Sequence, residues 1–212
     1  LADASICVDM FSSFDYQKCF GIAKHLDTLN TERQNIEKYI SDAAFDIIET
    51  HKLYKDNVIV VYGEGWNSGV IGIVASKVSE KYYKPCIVIT DDSDNIAKGS
   101  GRSVADFDLY EALSHCSDLL VKFGGHFLAA GLSLETSNID EFRKSINEYA
   151  ANLLNGKTFV HKINIDYVLK ESFLNVDTIN SLQVLEPYGV GNPKPVFALL
   201  EAKVIRKQLL SE

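Results

Sequence analysis

Two short runs of apolar, mostly β-branched residues set the strongest limit on what this chain can fold into. NVIVVY at 57–62 and PCIVIT at 85–90 have the length and composition of buried strands. The residues between them, at 70–82, repeat their apolar positions with helical spacing. A strand is expected again at 130–134, followed by a helix at 139–154. Strands that alternate with helices predict an α/β fold with a layered architecture.

The segment before these runs has a helical pattern. Its apolar positions recur at spacings near three and four and form one stripe, made of Leu29, Ile36, Ile40, Ala43 and Ile47. Thr31, followed by an acidic residue, is typical of a helix start. A helix of roughly 20 residues would be about 30 Å long. It would be either a connector between domains or an ordinary amphipathic core helix.

The character of the chain changes after Gly156. Alternating residues at 160–169 predict a half-buried strand, and a short helix is expected at 175–185. Prolines and glycines concentrate at 186–195, which predicts a rigid loop before another strand at 197–205.

These patterns divide the chain into three parts, 1–55, 56–155 and 156–212. The last part would hold only two or three strands, too few to bury a core, and the first residue is Leu1 rather than methionine. Both ends are therefore expected to be cut from a longer protein.

The charge balance limits how the chain can bind nucleic acid. Its formal net charge is −8, whereas a protein that holds DNA on a broad basic face is expected to be basic. Contact with DNA would therefore depend on a small site with few cationic groups and backbone N–H donors.

Other classes of protein are disfavoured by what the sequence lacks. No apolar run approaches the roughly 20 residues needed to span a bilayer, so no membrane association is expected. The four cysteines show no CxxC pair, which favours free thiols and a cytoplasmic setting. Three carboxylates crowd into 91–94 but are expected to form a solvated turn. No metal ligand is predicted in this chain.

The most distinctive motif is GGHFLAAG at 124–131. Gly124 and Gly125 lack Cβ atoms and can bring backbone N–H groups close to a ligand. The His126 imidazole can donate a hydrogen bond to a phosphate oxygen or a proton to a leaving group. The alternative is a tight turn with a half-buried histidine, since the glycines are expected to break the chain here.

Two further glycine-rich motifs could meet phosphate. In GSGRS at 99–103, a flexible cradle is followed by an arginine whose fork can hold two phosphate oxygens; the alternative is a polar hairpin loop with a solvated arginine. GEGWNSG at 63–69 is similar to a phosphate-binding helix start but lacks the lysine of a P-loop. Its alternative is a capping turn with Trp66 packed in the core.

These motifs occur together and in this order, which is far more specific than any one of them. GGHFLAAG resembles the signature of the DHH-associated domain of DHH phosphoesterases. With GEGWNSGVIGIVASKV, IAKGSGRS and FDLYEAL, it is similar to the RecJ exonuclease family. LNTERQNIE resembles the helix that links the catalytic and associated domains of that family, and LEPYGVGNPKPVF resembles the start of its OB-type domain.

The resemblance implies a fold and an activity. The fold would be a DHH-associated domain with a mixed β-sheet flanked by helices, after a long connector helix and before a truncated OB-like β segment. The activity would be 5′-to-3′ degradation of single-stranded DNA in repair and recombination. An upstream DHH domain would bind two divalent ions, Mn²⁺ or Mg²⁺, for the hydrolysis. Single-strand-binding protein would be a further partner. This chain alone is expected to bind DNA without cleaving it, because it lacks the metal-binding motifs.

The resemblance also implies roles for individual residues. His126, with Gly124 and Gly125, would meet the phosphate at the reaction centre. Arg102 and Ser103 would contact backbone phosphates or the strand end.

Four more residues are assigned to the same substrate-binding cleft by the resemblance. Ser100 and Gly101 belong to the cradle, and Trp66 and Asn67 would shape the cleft. Relatives often have histidine in the place of Asn67, so that contact departs from the family pattern, although an amide can also donate a hydrogen bond.

Two other functions fit the same motifs. A phosphatase or phosphodiesterase for short oligonucleotides or cyclic dinucleotides would share the GGH signature but would not continue into LEPYGVGNPKP. A non-catalytic module that binds nucleic acid or protein would lack an aspartate-rich metal site upstream.

Overall fold

The structure is a computed structural model that describes residues 3–93 and 95–208. Leu1, Ala2, Asp94 of the acidic run and the last four residues of the predicted 156–212 segment lie outside the described residues. The chain forms two compact units, Leu1–Val160 and His161–Glu212.

The first unit begins with two helices, α1 (Ser5–Ser12) and α2 (Tyr16–Thr50). The predicted start of the long helix at Thr31 is wrong, because Asp15 caps it sixteen residues earlier by accepting hydrogen bonds from the N–H groups of Gln17 and Lys18. The Thr31 hydroxyl instead donates to the Asp27 carbonyl at 3.0 Å, inside the helix. Helix α2 is therefore a single helix of 35 residues that includes the whole predicted stripe.

Five strands form one sheet: β1 (Ile59–Tyr62), β2 (Cys86–Ser93), β3 (Ile96–Arg102), β4 (Lys122–His126) and β5 (Ala129–Glu135). Their order is β1-β2-β3-β5-β4. Only the β1–β2 pair is parallel, and the remaining pairs are antiparallel. The predicted α/β fold with a mixed sheet is confirmed.

Strand β3 includes most of GSGRS, for which a polar hairpin loop was the alternative to a phosphate cradle. Gly99 and Gly101 lie within it because core side chains occupy the space where their Cβ atoms would be. A Cβ at Gly101 would lie 2.7 Å from the Leu109 Cδ2 atom, and one at Gly99 would lie 3.0 Å from the Leu132 Cδ1 atom. The glycines thus let the core pack against the strand, and the alternative of a polar hairpin loop is wrong.

Helices cover both faces of the sheet. The long helix α2 and helix α3 (Ile71–Tyr82) pack on one face, with Ile40 and Val74 fully buried between them and the strands. Helices α4 (Leu109–His115) and α5 (Ile139–Leu154) pack on the other face around Phe142. Asp108 caps α4 by accepting a hydrogen bond from the N–H of Glu111 at 3.0 Å. Single 3₁₀ turns complete this unit at Leu53–Lys55, Ser117–Leu119 and Thr136–Asn138.

A buried carboxylate joins α2 to α3. Glu37 is only 7% exposed and binds both Lys77 on α3 and, at 3.1 Å, Arg33 on α2. The hydrogen bond from Lys77 is the main reason that the pKa of Glu37 is lowered from its ordinary value of 4.5. Its ionised form therefore stabilises the packing of the long helix on α3.

Replacing Glu37 with glutamine is expected to lower the free energy of unfolding at pH 7 by about 1–3 kcal/mol. Because the folded pKa is depressed, the wild-type advantage is present above pH 4.5 and is lost as the pH falls through the folded pKa. Urea unfolding at pH 7 and at successively lower pH measures this difference. Glu148→Gln is the control, since Glu148 is exposed. A Glu37→Gln effect that is the same at every pH would contradict the assignment.

The second unit has little regular structure. Strands β6 (Tyr167–Val168) and β7 (Phe197–Ala198) pair in parallel, and α6 (Val176–Ser181) lies between them in sequence, capped by Asn175. The 3₁₀ turns Glu171–Phe173 and Leu182–Leu185 flank α6. The strands predicted at 160–169 and 197–205 are therefore too long, since only two residues of each pair with another described strand.

Candidate nucleic-acid interface

Part of the sheet is left bare on the face that carries α3. Helix α3 packs over β2 and β3, and its Gly72 lies over Ser100, where a Cβ would lie 2.9 Å from the Ser100 Oγ atom. On this face the outward residues of β3, β5 and β4 are nevertheless exposed or partly exposed. Gly124, Gly131 and His126 are all exposed there.

The strand register arranges this bare surface in three rows. Each row takes one residue from β3, one from β5 and one from β4, in that order. The rows are Arg102–Ala129–His126, Ser100–Gly131–Gly124 and Lys98–Ser133–Lys122. We call these nine residues the basic face. Neighbouring strands lie about 4.8 Å apart, so the backbones of Arg102 and His126 are about 10 Å apart.

The centre of the basic face is flat. A Cβ at Gly124 would have no heavy atom within 4 Å, and one at Gly131 would have only the Gly99 carbonyl oxygen at 3.9 Å. A cavity of about 530 Å³ lies over this floor, and Ser68 and Gly69 near the start of α3 form part of its wall. A ligand can therefore approach the backbone of the sheet closely.

Gly125 fixes the position of His126. Its φ is +148°, a conformation that residues with a Cβ rarely adopt. A Cβ there would also lie 2.4 Å from the Ala129 carbonyl oxygen and 2.5 Å from the Ala130 Cα atom. Only glycine allows β4 and β5 to approach each other this closely, so the second glycine of the motif has a structural role.

His126 is exposed at the end of an edge strand rather than half-buried in a turn. The predicted chain break at 124–126 is wrong, because all three residues pair with β5. The turn follows at Phe127 and Leu128. Their carbonyls accept hydrogen bonds from the N–H groups of Leu109 at 3.0 Å and Ser103 at 2.9 Å. The hairpin that presents the imidazole is therefore anchored to the rest of the domain.

The GSGRS motif splits between the two faces of the sheet. Ser100 and Arg102 lie on the basic face, and the Arg102 Nη1 atom donates to the Gly101 carbonyl at 2.9 Å. Gly101 itself is buried against the core. The Ser103 hydroxyl donates to the Phe107 carbonyl at 2.7 Å and so holds the following loop. Of the four residues predicted in this motif, the structure thus places Ser100 and Arg102 on the basic face but not Gly101 or Ser103.

Trp66 and Asn67 lie outside the floor of the cavity. Trp66 is only 8% exposed and packs beneath Gly63, which confirms the alternative of a core tryptophan. The Asn67 Oδ1 atom accepts from the Gly69 N–H at 2.9 Å and orders the turn before α3. Both residues therefore act indirectly: they hold the turn that contains Ser68 and Gly69, and these two residues form part of the cavity wall.

Two lysines of the basic face were missed at the sequence level. Lys98 and Lys122 occupy the outer ends of the third row. Lys98 forms an ion pair with Asp92 at 2.7 Å, whereas no carboxylate among residues 3–93 and 95–208 pairs with Arg102 or Lys122. Alternation along β3 and β4 would have identified them if those segments had been recognised as strands. A chain with a net charge of −8 thus concentrates cations on one small surface.

The described residues do not provide a site for a divalent ion. No group of three or more His, Cys, Asp or Glu side chains among them could hold a metal. Asp92 is bound by Lys98. The Asp91 side chain accepts from the Gly65 N–H at 2.6 Å, and this hydrogen bond lowers the pKa of Asp91. Asp92 thus joins β2 to β3 and Asp91 holds the turn at Gly65, so neither fits a site for Mg²⁺ or Mn²⁺, ions that the resemblance assigns to an upstream domain.

Protein-family models match most of the chain. A DHHA1 domain matches residues 55–152, and a RecJ OB domain matches residues 165–212. No helix in the described part of the chain has both the length and the apolar character of a membrane span.

Curated relatives carry the same name throughout. The single-stranded-DNA-specific exonuclease RecJ of Bacillus subtilis is 38% identical over 196 residues, which are 92% of this chain and 25% of the relative. The corresponding protein of Dickeya dadantii is 32% identical over 204 residues, covering 93% of this chain and 35% of the relative. The chain therefore spans about a quarter to a third of the length of these relatives.

Solved structures agree with the sequence comparison. The crystal structure of Thermus thermophilus RecJ in complex with Mg²⁺ matches with a TM-score of 0.76 and 29% identity, over 92% of this chain and 30% of that one. The complex with Mn²⁺ matches with a TM-score of 0.77, over 92% and 28%. Both family models match the chain, and RecJ proteins share its sequence and fold over 92% of its length, so the chain belongs to the RecJ family.

Proposed function

We propose that this chain is the strand-holding part of a single-stranded-DNA exonuclease that degrades DNA from 5′ to 3′ in repair and recombination. The observation that carries the proposal is the basic face. It is a bare, glycine-floored strip of sheet with cations at its edges, in a chain that is otherwise strongly acidic. Such a strip suits one phosphate backbone better than a duplex, which requires a broader basic surface.

The polar side chains of the first two rows, those of Arg102, His126 and Ser100, each have a defined use in this function. The Arg102 guanidinium can hold two oxygens of one phosphate, and the Ser100 hydroxyl can donate to the same group. His126 can donate to an oxygen that gains negative charge as the phosphodiester breaks. Gly124 and Gly131 leave the space through which the phosphate approaches the sheet.

Divalent ions would be held by polypeptide outside this chain. They would supply the activated water for hydrolysis, and a DHH domain would be their source. None of the roles given to His126, Arg102 or Ser100 requires these side chains to bind a metal. The proposal also includes single-strand-binding protein as a partner and the cytoplasm as the place where the exonuclease acts.

The RecJ OB match favours this function over a phosphodiesterase for short oligonucleotides or cyclic dinucleotides. A protein of that kind would need the GGH hairpin but not the segment at 165–212. A non-catalytic binding module would use the same basic face. A cleavage assay, and not a binding assay, therefore distinguishes it from the exonuclease.

The purified chain, mixed with end-labelled single-stranded DNA and Mn²⁺, tests the proposal. Binding without degradation is expected, with weaker binding to a duplex of the same sequence. Addition of a metal-bearing DHH domain is expected to restore cleavage. Failure to bind single-stranded DNA, or degradation by the chain alone, would contradict the proposal.

Replacing Arg102 with alanine is expected to weaken binding of single-stranded DNA and to reduce its salt dependence. Loss of one phosphate contact lowers the slope of log K against log salt by about 0.7 for a single strand. Fluorescence anisotropy titrations over a series of salt concentrations measure that slope. Lys144→Ala removes an equal charge from an exposed position on α5 and is the control. An unchanged slope for Arg102→Ala would count against a phosphate contact.

A further inference from the structure

The residues of the third row of the basic face were given no individual role in the function proposed above. Lys98, Ser133 and Lys122 lie four residues along the strands from the row of Arg102 and His126. At about 3.3 Å per residue, the two rows are about 13 Å apart. One phosphate group cannot span that distance, so a ligand of the third row is a separate group.

The third row borders the cavity, whereas the first row does not. Lys98, Lys122 and Ser133 line the cavity of about 530 Å³ together with Ser68 and Ser100, but Arg102 and His126 are outside its lining. That volume is within the range of pockets that take small ligands, roughly 300–1,000 Å³. The cavity beside the third row is thus large enough to hold a ligand group and not only water.

The chemistry of the lining selects an anion. Asp92 neutralises Lys98 at 2.7 Å, while Lys122 has no carboxylate partner in the described part of the chain. The row therefore carries one uncompensated positive charge, accompanied by hydroxyl donors at Ser133 and Ser100. Lysine acts on phosphate as a mobile point charge without the strict geometry of arginine. A phosphodiester group, with its single negative charge, matches this arrangement.

We infer that Lys122, with Lys98 and Ser133, forms a second phosphate subsite that holds a phosphate of the same DNA strand, different from the one at Arg102. The inference rests on the proposed function. The strand's backbone then runs along β5 over Gly131, with one phosphate near each end of the glycine floor. Two separated contacts align the strand with the sheet and fix which linkage lies beside His126.

A scan with neutral linkages tests the second subsite. A series of single-stranded oligonucleotides, each with one methylphosphonate at a different position, is titrated with the full chain. Wild type is expected to lose affinity, by roughly threefold at moderate salt, at two separate linkages. Lys122→Ala should remove the sensitivity at one linkage and Arg102→Ala the sensitivity at the other, while Lys122→Arg retains both.

The outcomes separate the two proposals. Both fail if wild type does not bind the unmodified strand. If wild type binds but has only one sensitive linkage, or if Lys122→Ala keeps both, the second subsite is wrong and the strand-holding function stands. Lys144→Ala, which changes charge on another surface, should keep both sensitive linkages; loss of either would show that net charge and not the subsite produces the effect.

Discussion

If the chain acts in the exonuclease proposed above, replacing His126 with alanine is expected to slow cleavage of single-stranded DNA by a DHH-bearing form by about 10²-fold or more. That is the usual loss when one preorganised donor to a transition-state oxyanion is removed. Binding of the uncleaved strand should change much less, because Arg102 and Ser100 remain in place. Single-turnover cleavage and anisotropy measured on the same preparations separate the two effects.

The structure explains why the loss should be specific to His126. The imidazole is exposed at the end of β4, and the turn after it is held by the N–H groups of Ser103 and Leu109. The backbone that carries this donor is thus held in position before the strand arrives. His25→Ala, an exposed histidine on α2, should leave the cleavage rate unchanged. If His126→Ala cleaves near the wild-type rate, His126 has no catalytic role and is only a structural residue of the hairpin.

Replacing Gly125 with alanine is expected to destabilise the first unit by about 2–5 kcal/mol. The new methyl group would meet backbone atoms of Ala129 and Ala130 at 2.4 and 2.5 Å, and φ would have to leave +148°. Since backbone cannot turn aside as a flexible side chain can, β4 must shift away from β5. Thermal unfolding should show a fall in melting temperature on the order of 10 °C.

Gly124→Ala is the matched control for this prediction. It makes the same chemical change one residue earlier, but the added Cβ has no heavy atom within 4 Å. Its stability should stay within about 0.5 kcal/mol of wild type. Any loss of DNA binding in this variant then reports contact between the ligand and the floor of the basic face. Equal stability of the Gly124→Ala and Gly125→Ala variants would contradict the role given to Gly125.

The parts of the fold with strong local signals were predictable. Strands β1 and β2 are apolar, β-branched runs, and α3 and α5 show helical periodicity, so local composition indicates each of them. The start of α2 was predicted at Thr31, close to the start of the apolar stripe, instead of at Asp15. The cap at Asp15 depends on a single side chain that accepts from two N–H groups, which is a weaker sequence signal than the stripe.

The glycine-rich strands were not predictable in this way. Glycine disfavours strands in isolation, so GSGRS and GGH resemble loops. In the folded chain Gly101 makes room for Leu109, and Gly125 makes room for β5. The reason for each glycine lies in a residue distant in sequence or in the partner strand, which local propensity does not contain.

The sequence by itself determined the α/β class, the order of most elements and the family motifs that direct attention to His126, Arg102 and Ser100. Only the tertiary structure decided which residues share the site. The pairing register of β3, β5 and β4 brings Lys98 and Lys122 onto the same face as His126 and turns Gly101 into the core. Successive residues of a strand point to opposite faces, so membership of the site depends on strand pairing and register rather than on proximity within a motif.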